Sequence, residues 1–267
     1  MSVTVRRSGA VGDVLLATAL LPALKGTYGR VLFSTSPRCA EILAGNPFID
    51  AVTVPTIAEG DLIDLDDAYE SKPFSHIVEA YAQRAGISIS ETQRPSMAFD
   101  RSPAKLIDVM IHPTVSWPSR TLPADFWAAV ADHFAGIGKK VAYVRAPNEP
   151  APPAGIFDFC GKSFRDIATL IDSSRVFICA DSLPLHIASV TDTPIVGLFT
   201  VAMSKYREPW LRHPELFTGI DTVLDCGGCL HRETPPVRFT ECKREEKNLC
   251  VKSFDAQRVI EAAERYL

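Results

Sequence analysis

Residues Val176 to Phe199 restrict the possible folds of this chain more than any other stretch. Val176 to Ala180 is a short apolar run of the kind a fully buried strand shows. Asp181 and Ser182 supply N-cap chemistry, and Pro184 falls in a first helical turn, where a missing N–H is tolerated. Leu185, Ile187 and Ala188 carry a brief helix, Thr191 to Pro194 turn the chain, and Ile195 to Phe199 reads as a second apolar strand. Strand, helix and strand in that order predict a right-handed parallel crossover, with a helix N-terminus at the carboxyl edge of the sheet. Free backbone N–H groups and the helix dipole make such an end a place for an anion. His186 lies in that first turn, near any anion docked there. On shape alone it serves equally well as a packing or capping residue of an ordinary crossover.

At 267 residues the chain has room for one large α/β domain or two small ones. Its 46% hydrophobic and 22% charged residues are those of an ordinary globular protein. No run approaches the roughly 20 apolar residues of a membrane-spanning helix. A net charge of −4 argues against a nucleic-acid partner. No export signal is expected, because Arg6 and Arg7 follow a strand-length segment and Gly12 and Asp13 interrupt the next apolar run. The expected address is therefore the cytoplasm. There, seven cysteines read as reduced thiols or a metal site, not as a disulfide framework.

Val3 to Arg7 reads as a first strand, Ser8 to Asp13 as a glycine-bearing turn, and Val14 to Leu21 as a helix that Pro22 bends or ends. Gly9 and Gly12 would let a ligand approach the backbone, although the turn lacks the Gly-x-Gly-x-x-Gly dinucleotide fingerprint. Strands are expected at Val31 to Ser34 and Val52 to Val54, and a helix over Phe74 to Gly86, with His76 a packing or surface residue. Asp64-Leu-Asp66 has the form of an Asp-x-Asp metal site but reads as a strand end facing a solvated acidic loop. Composition shifts to Pro, Ser, Arg and Gln around Glu91 to Lys105, an interdomain linker. A strand at Leu106 to His112, a helix at Asp125 to Gly136 and a strand from Lys139 follow.

Cys226-Gly-Gly-Cys229 is followed by Cys242 after twelve residues and by Cys250 after seven more. A Cys-x₂-Cys pair on a Gly-Gly turn points two thiolates inward, and two further cysteines complete a tetrahedron suited to zinc or iron. The Pro- and charge-rich stretch between them has little core, so a metal would supply order that packing does not. The spacing also admits unpaired thiols in a loop. Cys39, Cys160 and Cys179 sit on apolar segments and read as core, and Ser253 caps a last helix, Phe254 to Leu267.

The run Asp-Ser-Leu-Pro-Leu-His-Ile-Ala from Asp181, with Pro194 and Val196-Gly-Leu-Phe after it, resembles a known signature. It is that of the ADP-heptose:lipopolysaccharide heptosyltransferases, glycosyltransferase family 9: Asp-Ser/Thr-Gly-x-x-His-x-Ala, then Pro-x-Val-x-Leu-Phe. Asp181, Ser182, His186 and Ala188 match, whereas Leu183 stands where the family has Gly. The turn ending in Gly12-Asp-Val-Leu resembles the family's opening, Arg-x-x-x-x-Gly-Asp-Val-Leu. His112 to Pro123 resembles His-Pro-Gly-x-Ser-Trp-Pro-Ser-Lys-x-Trp-Pro, with Arg120 replacing the Lys by a planar fork of the same charge. Gly161 to Ile171 resembles the helix that precedes the Asp-Ser strand.

The resemblance implies an α/β fold of GT-B type, two doubly wound Rossmann-like domains facing a cleft. Residues 1–100 would form the acceptor-side domain and 104–250 the nucleotide-sugar domain, with the helix of 253–267 packing back at the domain junction. The implied reaction is inverting glycosyl transfer, with Asp13 as general base. Gly12, Thr114, Arg120, Asp181, Ser182 and His186 would hold the nucleotide sugar, and Glu149 is a candidate ribose partner. ADP-heptose is the implied donor; a glycan, a lipopolysaccharide core, another lipid-linked sugar or a protein is the acceptor. No catalytic cofactor is expected. Relatives with a cysteine-held iron point to a structural zinc or iron at Cys226, Cys229, Cys242 and Cys250, and transient contact with the inner membrane is compatible with such acceptors. Without the resemblance, Asp13 is also a first-turn carboxylate stabilising its own helix, and Arg120 a solvated loop arginine. Two other classes stay open: a nucleotide-sugar-binding protein without turnover, suggested by Leu183 and a short first half, and an oxidoreductase, against which the missing glycine fingerprint speaks.

Overall fold

Short β-branched and aromatic runs form the strands of this chain, and they assemble into two separate, wholly parallel sheets. They were located in a computed structural model, which describes residues 1–54, 59–72, 74–90, 93–232, 242 and 244–267. The first sheet holds β1 (Ser2–Arg6), β2 (Arg30–Ser34), β3 (Ala51–Thr53) and β4 (Asp61–Asp64) in the order β3-β2-β1-β4. Helices α1 (Val11–Ala17), α2 (Leu21–Tyr28), α3 (Pro37–Ala40) and α4 (Ile77–Ala85) belong with it. Pro22 does not end a helix: it sits in the first turn of α2, after a 3₁₀ turn at Thr18–Leu20 that separates α2 from α1.

The second sheet is larger. Its strands are β5 (Ile107–His112), β6 (Val141–Arg145), β7 (Phe157–Cys160), β8 (Ser174–Ala180), β9 (Ile195–Phe199) and β10 (Phe217–Asp221), in the order β10-β9-β8-β5-β6-β7. Between and after them run α5 (Ala124–Gly136), α6 (Phe164–Asp172), α7 (Leu183–Ala188), α8 (Ser204–Arg207), α9 (Cys229–Arg232), α10 (Leu249–Lys252) and α11 (Ala256–Glu264). The crossover expected at Val176 to Phe199 is β8-α7-β9, whose strands pair in parallel from Phe177 with Ile195 to Ala180 with Leu198. β7 and β10 were not legible in the sequence. Both are edge strands with half-exposed residues, so neither carries the unbroken apolar run of a central strand.

In both sheets the strand order reverses once, between β1 and β4 and between β5 and β8. The crevice at the carboxyl ends of the strands beside such a reversal is where open α/β sheets take their ligands. One apolar cluster joins the two sheets. Val3, Leu20 and Phe33 of the first share it with Phe177, Leu185 and Phe199 of the second, all of them buried. The linker region has no helix or strand from 93 to 106, yet it is pinned on both sides. Ser96 N donates to Thr18 Oγ1 at 2.8 Å, Arg94 pairs with Asp192 at 2.7 Å, and Arg101 pairs with Asp172 at 2.9 Å. The last helix, α11, packs on α5 and β9 of the second half, where Val259 and Ala263 join a second buried cluster.

Gly197 lies in the middle of β9, where a Cβ would stand 2.9 Å from the rings of both Phe199 and Phe217 and 3.3 Å from Leu185. Gly197→Ala is therefore expected to cost about 1–3 kcal/mol through overpacking, read as a fall of about 2–12 °C in thermal melting.

Candidate functional site

The two strand-order reversals face each other, and helices α1 and α7, which follow β1 and β8, touch across the gap. Gly12 makes this contact possible. A Cβ on it would come within 3.0 Å of the His186 ring, so the absence of a side chain lets the two helices close up. The loop before α1 is strained at Ala10, a non-glycine residue with φ of 46°, and not at Gly9. Such backbone is tolerated where surroundings over-determine it, and it sets the entry into the turn that carries Asp13.

Asp13 is buried in the first turn of α1. Arg7 Nη2 donates to its Oδ2 at 2.6 Å, and the Tyr69 hydroxyl donates to the same oxygen at 3.0 Å. Among the described residues no hydrogen bond reaches Oδ1, which is left for an incoming proton. Burial raises the Asp13 carboxyl above the ordinary aspartate range, while the charge and hydrogen bond of Arg7 and the Tyr69 bond pull it back. Arg7 is anchored in turn by the Leu65 carbonyl at 3.1 Å and by Glu70 Oε1 at 2.8 Å. Burial and the neighbouring Asp13 and Glu70 keep the Tyr69 hydroxyl protonated, as a donor must be. A carboxylate lifted towards neutrality, with one oxygen fixed and the other open, suits a general base.

Across the gap, β8 ends at Ala180, Asp181 follows it, and α7 starts after Ser182. Ser182 occupies the N-cap position but makes no side-chain cap; its Oγ turns back to the Ala180 carbonyl at 3.1 Å and lies 3.4 Å from His112 Nδ1. Arg120 reaches Asp181 Oδ2 at 3.1 Å and stacks 3.9 Å over the Trp117 ring, so it is not a solvated loop arginine. Leu183 packs part of its side chain against the shared core.

Three buried polar atoms around this reversal make no hydrogen bond within the chain, Thr114 Oγ1, Arg120 Nε and His186 Nδ1, while Asp181 Oδ2 meets Arg120 as an ion pair. Buried polar groups are paired in nearly all native structures, so these three are available to a polar ligand. His186 is neutral at physiological pH, because burial lowers its pKa to about 4, aided by His76, Arg207 and Arg120 and opposed by Asp181. Its neutral ring keeps one N–H to donate. Glu149 holds its own loop, accepting from Ala146 N at 2.7 Å, with His112 3.8 Å away.

Other expectations resolve differently. Asp64 is paired with Arg6, and Asp66 accepts from Ser8 N at 2.9 Å, so both lock the loop after β1 and form no metal pair. His76 is buried and caps α4, while its Nε2 bonds the Glu208 carbonyl at 2.9 Å and its ring lies 4.9 Å from Trp210. Among the described residues no group of three or more His, Cys, Asp or Glu converges as a metal site. Cys226, Cys242 and Cys250 are free thiols, and part of the chain between Cys229 and Cys250 lies outside the described residues. They are nonetheless neighbours: burial and then the thiolates of Cys229, Cys226 and Cys242 push the Cys250 thiol up to about 11. The turn between the first pair contains Gly228 at φ 69°. Tyr69 and Arg207 lie outside the motifs read in the sequence, while Arg7 stands at the Arg of the Arg-x-x-x-x-Gly-Asp-Val-Leu pattern without being singled out there. Only the place of Tyr69 and Arg207 after β4 and β9 could have marked them.

Residues 74–235 match glycosyltransferase family 9 (heptosyltransferase), more than half of the chain. The chain belongs to this family. It is 27% identical over 173 residues to lipopolysaccharide heptosyltransferase 3 of Escherichia coli, which covers 60% of this chain and 46% of the other. The chain thus spans about half the length of that curated relative. Its fold is that of the iron-containing dodecameric glycosyltransferase TibC from enterotoxigenic E. coli, with TM-score 0.79, 16% identity and coverage of 99% and 78% of the two chains. It is also that of the E. coli heptosyltransferase WaaC, solved with ADP, with TM-score 0.71, 12% identity and full coverage of both. The architecture is the GT-B arrangement of these enzymes.

His76, His112 and His186 share a pKa lowered to about 4 by burial. Unfolding between pH 4 and about 6.5 therefore takes up protons that the folded protein does not hold, and stability falls on acidification through that window. Asp13 and Glu208, raised by burial, bind protons in the folded state and offset part of the effect. Melting temperatures measured from pH 7 to pH 4.5 are expected to decline with a net uptake of roughly one to three protons on unfolding.

Proposed function

We propose that this chain is an inverting glycosyltransferase that moves heptose from ADP-heptose to an acceptor hydroxyl. The observation that carries this reading is the contact of α1 with α7, which brings the helix of Asp13 against the helix of His186, beside the buried polar atoms of Thr114, Arg120 and His186 that make no hydrogen bond within the chain. Family membership supports glycosyl transfer, and TibC, solved in complex with ADP-D-beta-D-heptose, supports the donor. The acceptor is assigned by class only, as a glycan, lipopolysaccharide core or protein. The relative named for lipopolysaccharide supports the second of these. Among the described residues no helix is long and apolar enough to cross a membrane.

In this scheme residues 1–100 present the acceptor, 104–250 hold the donor, and 253–267 close the second half. Thr114, Arg120, Ser182 and His186 grip the donor diphosphate, Asp181 holds Arg120 in place at 3.1 Å, and Gly12 gives the space for His186. The acceptor oxygen attacks the anomeric carbon as its proton passes to Asp13 Oδ1. The bond from that carbon to the diphosphate breaks, and its electron pair leaves with ADP. Arg120 and the N–H of neutral His186 stabilise the charge that develops there, as preorganised donors in a buried site do. No catalytic cofactor takes part.

Asp13→Asn is expected to reduce transfer by about a hundred- to ten-thousand-fold while ADP affinity stays near normal, since a base acts only as the acceptor attacks. Arg120→Ala and His186→Ala should each weaken ADP binding in calorimetry by about 1–3 kcal/mol. Transfer by Asp13→Asn within a few-fold of wild type refutes the base, and unchanged affinity in both other variants refutes the grip.

Four thiolates are a donor set suited in chemistry to zinc or iron, and we propose Cys226, Cys229, Cys242 and Cys250 as ligands on their spacing and on the iron of TibC, although among the described residues no three of them converge as a metal site. The metal would order the chain between them. Purified protein is expected to carry about one equivalent of metal, and Cys229→Ser to lose it together with thermal stability. Fully stable, metal-free wild-type protein rejects the assignment.

A further inference from the structure

Tyr69 stands in the turn after β4 and touches both halves of the molecule. Its ring centroid lies 5.1 Å from the Arg7 guanidinium and 4.9 Å from that of Arg207, which belongs to α8 of the second half. Tyr81 of α4 meets the same ring edge-on at 6.1 Å. Arg207 is buried, and among the described residues it has no carboxylate partner; its Nη1 donates to the Tyr206 carbonyl at 2.8 Å. The stretch around it is fastened to the first half on either side. Tyr206 packs on Phe74 at 6.3 Å, and Trp210 Nε1 donates to the Gln93 carbonyl at 2.7 Å.

From this geometry we propose that Tyr69 is a positioning residue for Asp13, through which the donor half of the molecule helps to set the base in the acceptor half. The hydroxyl of Tyr69 and the guanidinium of Arg7 converge on Oδ2, so the carboxylate cannot rotate freely and Oδ1 keeps its direction. Arg207, resting on the ring, ties that orientation to the seating of the second half. The assignment rests on the reading of Asp13 as the base. The groups that face Asp13 are Arg7 after β1, Tyr69 and Glu70 after β4, and Tyr81 on α4, with His186 of α7 against the adjoining Gly12. A hydrogen bond donated to a carboxylate favours its charged form, so losing the Tyr69 hydroxyl makes Asp13 easier to protonate.

Tyr69→Phe keeps the ring and both guanidinium contacts and removes only the hydroxyl. Carbon-13 NMR of aspartate-labelled protein, with the Asp13 signal identified by its loss in Asp13→Asn, should place the titration midpoint about one pH unit higher in the variant. Arg207→Gln should move it in the same direction by less. A merely structural Tyr69 lowers the melting temperature and leaves the midpoint where it was, and that result overturns the proposal. Should Tyr69→Phe fail to fold, fluorotyrosine at position 69 offers a stronger donor of nearly the same shape. The midpoint should then fall, and an unchanged one again overturns the proposal. The transfer rate of Asp13→Asn judges the base separately, so loss of one reading is distinguishable from loss of the other.

Discussion

The approach of α1 to α7, which Gly12 permits by offering no side chain to the His186 ring, governs how the two halves of this protein work together. Each sheet has its own strand-order reversal, the place where open α/β sheets take ligands. Bringing the two face to face places a carboxylate from one half opposite a set of unpaired polar atoms from the other. A side chain at position 12 would wedge the helices apart, and a displacement of even 1 Å between reacting groups lowers rates steeply. The local strain at Ala10, just before the contact, fits a loop fixed by what lies on both sides of it.

Burial does opposite work on the two sides of that contact. It raises the Asp13 carboxyl, so that this group holds a proton more readily, and it strips the charge from His186, leaving a neutral imidazole. Arg7 and Arg120 supply the fixed positive charge instead, one on each side, each seated against an aromatic ring. Guanidinium groups suit such places because they stay charged when buried and stack on ring faces.

The part of the fold that was legible in the sequence is the part made of continuous apolar runs. β5, β8 and β9 stand out because central parallel strands are buried on both faces, whereas β7 and β10, at the edges, do not. Asp13, Arg120, Asp181 and His186 were legible through a resemblance of short motifs, since composition or periodicity alone left each of them a bland role. Tyr69 and Arg207 were not, because their work depends on contacts between residues more than a hundred positions apart. The side-chain cap expected of Ser182 failed for a similar reason: a tertiary neighbour, His112, and the Ala180 carbonyl compete for its hydroxyl. The four cysteines were visible as a spacing, and what they hold depends on an ion that no pattern of residues contains.

The shared apolar cluster has a consequence for how the chain is made. β1 comes first in sequence yet lies inside its sheet, with β2 on one side and β4 on the other. Val3 of β1, with Leu20 and Phe33, belongs to the same buried cluster as Phe177 and Leu185, which follow more than a hundred residues later. The first half therefore cannot complete its interior until the second exists. Contacts of such long sequence separation slow the search for the native state and join both halves in a single cooperative transition. A truncated chain ending near residue 100 would expose a sticky, unfinished surface, a natural client for chaperones during synthesis.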